Sequence, residues 1–166
     1  MPERVFFALW PDEATRWRLE AVSKLLHRCC DGKVTRPESI HLTLAFLGEV
    51  EDSQPLCAIA SKISANSFEI NIDRAGYWKH NRIAWAGTSE IPSALAELEK
   101  KLRTALEASG YLLEKRPFLP HVTLLRRGFA PKTLPGFEPF QWSVSAFCLV
   151  RSSDGGYEIL EKWPLI

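Results

Sequence analysis

Cysteine is scarce in this chain, and its placement excludes two classes of protein. Cys29 and Cys30 are adjacent, Cys57 and Cys148 stand alone, and no Cys-x-x-Cys or Cys/His spacing occurs. Neither a disulfide framework nor a structural zinc site is therefore expected. Long hydrophobic runs are missing too. The stretch VFFALW has six residues before Pro11, too few for a signal-peptide core and far too few to span a bilayer. The expectation is a soluble, cytoplasmic protein with no membrane partner. Net charge is nearly absent, +1 over 166 residues, which removes the bulk electrostatic argument for a nucleic-acid binder and leaves only a local basic cleft. Low-complexity tracts are also lacking, while hydrophobic residues make up 46% and charged residues 25%. Residues 1–166 are read as a single domain, large enough to bury roughly two-thirds of the surface its unfolded chain exposes.

Periodicity divides this chain into ten elements. RVFFALW (4–10) reads as a buried strand, after which Asp12 caps a helix whose apolar stripe is Ala14, Ala21, Val22, Leu25 and Cys29. A strand is expected over 39–47 and a helix over 52–64. FEINI (68–72) and RIAWAGT (82–88) read as strands joined through the turn-like WKHN. Pro92 starts a helix lined by Leu95, Leu98, Leu102, Ala105 and Leu106, with Gly110 as its stop. Strands are expected again at 120–126, 140–150 and 157–163.

One unit recurs in this order. RPESIHLTL at 36–44 and RPFLPHVTL at 116–124 lie 80 positions apart, and each closes a strand, helix, strand sequence, the first over about 4–47 and the second over about 82–126. Two copies are too few for a solenoid. The expected fold is α+β and bilobal: two pseudo-two-fold halves with antiparallel-rich sheets and outer helices, facing each other across a central cleft. Alternation along a strand assigns Ile40, Leu42, Leu44 and Phe46 to one apolar core face, leaving His41 and Thr43 on the other. Likewise Pro120, Val122 and Leu124 face the core, and His121 and Thr123 do not. Each strand thus offers an imidazole and a hydroxyl to the same space.

Two imidazoles can serve near neutral pH as general base and general acid on opposite sides of a reacting centre. With no strong nucleophile in the motif and no carboxylate cluster for Mg²⁺, the set suits in-line attack of water on a phosphodiester. Hydroxyls and an arginine would stabilise the developing charge.

The paired HLTL and HVTL tetrapeptides, together with FFAL, HLTLAFLGEV and RPFLPHVTLLR, resemble the two-histidine phosphoesterase superfamily. Within it they are similar to the RNA 2′,3′-cyclic phosphodiesterases, first described as bacterial 2′-5′ RNA ligases. The resemblance implies hydrolysis of a terminal 2′,3′-cyclic phosphate to a 2′-phosphate without metal or cofactor, with reversible 2′-5′ ligation as a companion reaction. It assigns His41 as proton donor to the leaving 3′-oxygen and His121 as proton acceptor from water. Thr43, Thr123 and Arg126 bind phosphate, and Phe7 flanks the base or ribose. The partner is an RNA end or a small cyclic nucleotide, bound by a monomer.

Strict alternation conflicts with one of these assignments, because it puts Arg127, not Arg126, on the His121 face unless the strand bulges or ends after Leu125. Bland readings stand beside the others. His27 and His80 are expected to be bystanders, and Arg36 and Arg116 are divided between phosphate contacts and strand entry before proline. Trp10, Trp78 and Trp85 are candidates for base stacking, with Trp85 expected in the core. Two rival functions remain: a nucleotide-binding module without turnover, and a metal site built on the two histidines.

Overall fold

The computed structural model describes residues 1–166. In chain order it comprises β1 (Glu3–Leu9), α1 (Glu13–Cys30), β2 (Lys33–Val34), β3 (Leu42–Val50), α2 (Gln54–Ser61), β4 (Phe68–Ile72), β5 (Arg74–Trp78), β6 (Ile83–Gly87), α3 (Ser93–Ala108), β7 (His121–Arg126), β8 (Phe140–Val144), β9 (Ala146–Ser153) and β10 (Gly156–Pro164). The fold is α+β with every strand pair antiparallel. No helix is long and apolar enough to cross a membrane.

Eight strands form one sheet in the order β10-β9-β1-β3-β7-β6-β5, with β2 also paired to β7. Two antiparallel sheets are present, but they are not divided one to each half. The halves share a sheet, joined between β3 and β7 through a single residue pair, Leu42 with Val122. The second sheet is the small β4-β8 ribbon. The order is nonetheless symmetric about the seam, β9-β1-β3 on one side and β7-β6-β5 on the other.

The seam is narrow because both strands begin there: β3 starts at Leu42 and β7 at His121, so in the antiparallel register of Leu42 with Val122 only Leu42 and Thr43 have β7 residues opposite them. Each strand also carries a bulge. Between Phe7/Ala8 of β1 the partner jumps from Ala45 to Thr43, leaving Leu44 unpaired. Between Ala84/Trp85 of β6 the partner jumps from Leu125 to Thr123, leaving Leu124 unpaired. Leu44 and Leu124 are the same position of the repeat, the leucine ending each His-x-Thr-Leu. A bulge twists its strand and re-aims the residues beyond it. Opposite Leu125 and Arg126 of β7 there is no β3, which begins only at Leu42. There β2 takes the open edge of β7, pairing with both residues.

A core of 31 residues lies on one face of the sheet. Helix α1 opens as expected, with the Asp12 side chain accepting from the Thr15 amide at 2.9 Å. Its stripe is turned one residue from the expected one. Thr15, Leu19, Val22, Ser23, Leu26 and Cys30 are buried, whereas Ala14, Ala21 and Cys29 are exposed and Leu25 is half-buried. Two small hydroxyl residues inside the stripe hide its true phase. In α3, Leu95, Leu98, Leu102 and Leu106 are buried as expected, and Gly110 takes the positive φ of 93° that ends the helix.

Three further expectations fail for local reasons. Strand β5 is an addition to the expected elements. A Cβ at position 76 would lie 2.1 Å from the Trp85 ring, so this glycine marks close packing inside a strand. The run 140–150 is two strands, because the chain changes sheets at Ser145. Phe46 is 47% exposed beneath the Arg4 guanidinium, since the Leu44 bulge turns it off the core face.

Candidate active site

The two motif histidines sit at the seam, on the face opposite the core, and are held alike. Nδ1 of His41 lies 2.7 Å from the Ser39 carbonyl, and Nδ1 of His121 lies 2.9 Å from the Leu119 carbonyl. A carbonyl only accepts, so each neutral ring carries its proton on Nδ1 and presents the Nε2 lone pair. Beyond that the two differ. Nε2 of His41 faces the Thr43 hydroxyl at 3.1 Å, while Nε2 of His121 has no hydrogen-bond partner within the protein.

Their surroundings differ as well. His41 is enclosed by aromatics: Trp10 stacks parallel to it at 5.0 Å, Phe6 lies at 4.9 Å and Tyr157 meets it edge-on at 5.1 Å. His121 meets Trp78 edge-on at 4.5 Å, with Trp85 farther off at 6.4 Å. Burial is the main reason that His41 is pushed down to about 4; the charges of Arg126 and His121 add to this and the Ser39 carbonyl opposes it. Burial also lowers His121, again with Arg126 adding and the Leu119 carbonyl opposing. Both imidazoles are therefore neutral in the unliganded protein at pH 7, and one guanidinium acts on both.

The weak proton affinity of buried His41 also makes the fold less stable in acid. With a native pKa below the unfolded value of roughly 6.5, His41 costs nothing above that pH. As pH falls towards 4, the unfolded chain takes a proton that the native site refuses, and stability is lost, up to about 3 kcal/mol. Urea midpoints measured from pH 7 to 4 should fall, and His41→Gln should flatten that fall.

Arg126 shares the face of His121 and Thr123 because of the Leu124 bulge. Leu124 and Leu125 are both fully buried, and the extra residue restores Arg126 to the parity of Thr123. Thr35 holds the bulge, its amide donating to the Leu124 carbonyl at 2.9 Å and its hydroxyl to the Thr123 carbonyl at 3.0 Å. Arg127 lies beyond the strand at a φ of 57°, where its carbonyl accepts from Arg82.

Phe7 is not at the site and must be corrected. It is 0% exposed, packed in the core against Phe147 and Trp163; its neighbour Phe6 occupies the site face. Parity cannot distinguish them, because VFFAL is apolar on both faces. Trp85 also departs from expectation: it is buried, yet lies on the site face, outside the core cluster. Tyr157, from the β9-β10 hairpin, carries no sequence signal at all.

The remaining candidates have partners or positions of their own. Arg36 pairs with Glu38, Arg116 with Glu114 and His27 with Asp31, while His80 lies exposed in a turn. All four cysteines are free thiols. No three His, Cys, Asp or Glu side chains gather in a group able to hold a metal ion.

Comparison with known proteins shows the family. The model of the LigT-like phosphoesterase family matches residues 9–85 and 87–157. The RNA 2′,3′-cyclic phosphodiesterase of Escherichia coli is 34% identical, over 99% of this chain and 97% of its own. That of Thermus thermophilus is 30% identical, over 98% and 90%. The crystal structure of Escherichia coli LigT complexed with 3′-AMP superposes with a TM-score of 0.90 at 33% identity, covering 99% of both chains. The family-model match and these relatives place this chain in the LigT-like phosphoesterase family.

Proposed function

We propose that this protein hydrolyses a terminal RNA 2′,3′-cyclic phosphate to a 2′-phosphate, with His41 and His121 as acid and base. The observation that carries the reading is the pair of backbone-locked imidazoles within the field of one guanidinium, with only the His121 Nε2 left without a partner. That lone pair is suited to take the proton of an attacking water. As the water oxygen bonds to phosphorus, the P–O3′ bond breaks and O3′ receives its proton from Nε2 of His41. The Thr43 and Thr123 hydroxyls donate to the non-bridging oxygens, and Arg126 offsets their charge. Because His41 is neutral beforehand, the bound phosphate anion must raise its affinity for a proton, as an opposite charge does.

The names of the relatives support this substrate class, as does the nucleotide complex of the Escherichia coli protein. The strand order about the seam and a core shared by both halves support one domain over 1–166 with an internal repeat at about 4–47 and 82–126. A monomer in the cytoplasm, acting without metal, completes the reading, and reversal with a 5′-hydroxyl in place of water would give 2′-5′ ligation. The test is phosphorus NMR of the product from adenosine 2′,3′-cyclic phosphate, with and without EDTA. A predominant 2′-phosphate at an unchanged rate is expected. A 3′-phosphate, or activity lost to chelation and restored by a divalent ion, would sink the proposal, and binding without turnover would favour a non-catalytic module.

A further inference from the structure

Beside His121 the sheet surface is hollow. Arg74, Gly76 and Trp78 of β5 and Ile83, Trp85 and Gly87 of β6 share the site face, by their register. A Cβ at position 76 would fall 2.1 Å from the Trp85 ring and one at position 87 would fall 2.8 Å from it. The indole of Trp85 thus lies flat where two side chains are missing. It is only 8% exposed although it lies outside the core. Trp78 covers it, with ring centres 5.2 Å apart, and the Arg74 guanidinium lies 5.3 Å from its ring centre. Nε1 of Trp85 is buried without a partner.

Trp78 is consequently fixed on two sides, by a sunken indole and by the His121 ring, yet is only half-buried. A surface tryptophan is ordinarily mobile and must lose that freedom when it binds; one propped in this way has lost it already. Across the seam the aromatics serve differently, since Trp10 lies parallel to the His41 imidazole itself.

We infer that Trp78, seated on Trp85, is a stacking platform for a flat heterocycle, the nucleobase of the phosphorylated nucleoside bound at the seam. This rests on the functional reading above for the phosphate but adds a base site to it. Stacking of one base on an aromatic side chain corresponds to roughly fivefold or more in affinity.

Calorimetry with adenosine 2′-monophosphate and the base-free methyl riboside 2′-phosphate tests it without requiring turnover. The wild type should prefer the nucleotide; Trp78→Ala should shrink that preference at least about fivefold, and Trp78→Phe, which keeps a ring, should retain most of it. An unchanged preference in Trp78→Ala, or equal losses for both ligands in the two variants, would show that Trp78 merely seats His121. A wild type that prefers the nucleotide but opens no cyclic phosphate would overturn the reaction and leave the platform standing. One that binds neither ligand would overturn both.

Discussion

Replacing either His41 or His121 with alanine should lower turnover of a 2′,3′-cyclic phosphate by at least ~10²-fold, the usual scale for lost general acid or base catalysis. The double variant should be far less than multiplicatively worse, because two groups that act in one transition state fail as a unit. The hydrogen bonds of both Nδ1 atoms to backbone carbonyls make the losses interpretable, since neither ring anchors another side chain through that nitrogen. The wild-type profile of kcat/KM against pH should be a bell whose two apparent pKa values belong to the pair. It should be displaced to the acid side of roughly 6.5, because burial lowers both imidazoles and Arg126 pushes in the same direction. Near-wild-type turnover in either single variant would remove that histidine from the reaction. A bell centred well above neutrality would mean that the aromatic enclosure of His41 does not exclude water as the structure has it.

How much of the fold and site is legible in the sequence depends on which residues are asked about. His41, Thr43, His121 and Thr123 can be placed on one face of two strands because Leu42 and Val122 between them are apolar, and alternation holds over three residues. The same rule fails two residues later in both halves. Nothing in LTLAF or VTLLR announces that Leu44 and Leu124 will stand unpaired, because the ladder is interrupted by the neighbouring strands: β1 and β6 set the jumps. Phe46 and Arg126, equivalent positions in the repeat, are both turned to the site face for this one reason. The failure at Phe7 is of a different kind. β1 is central and covered on both faces, with Val5, Phe7 and Leu9 in the main core and Phe6 and Ala8 in a small cluster opposite, so it reads as a continuous apolar run without phase. β5 carries no strand signal of its own, because RAGYW does not alternate and its Gly76 lacks a side chain where the Trp85 indole lies.

The bulge also decides which of two adjacent arginines shares the His121 face, where strand alternation alone selects Arg127. Arg126→Ala is expected to cut kcat/KM by roughly 10- to 100-fold, the scale of a lost hydrogen bond to a charged group. Arg127→Ala should change it less than about twofold, because Arg127 sits past the strand end with its carbonyl, not its side chain, engaged by Arg82. Arg126→Lys should recover part of the loss, since it keeps the charge but not the fork geometry of the guanidinium. A second readout separates charge from packing. Arg126 lowers the proton affinity of both imidazoles, so removing it should move both limbs of the pH profile towards neutrality, while the lysine variant should hold them near their wild-type positions. A purely structural role for Arg126 would shift neither limb. The reverse ranking of the two alanine variants would mean that β7 keeps strict alternation through Leu124, and that the register jump opposite Ala84 and Trp85 does not govern which arginine meets the phosphate.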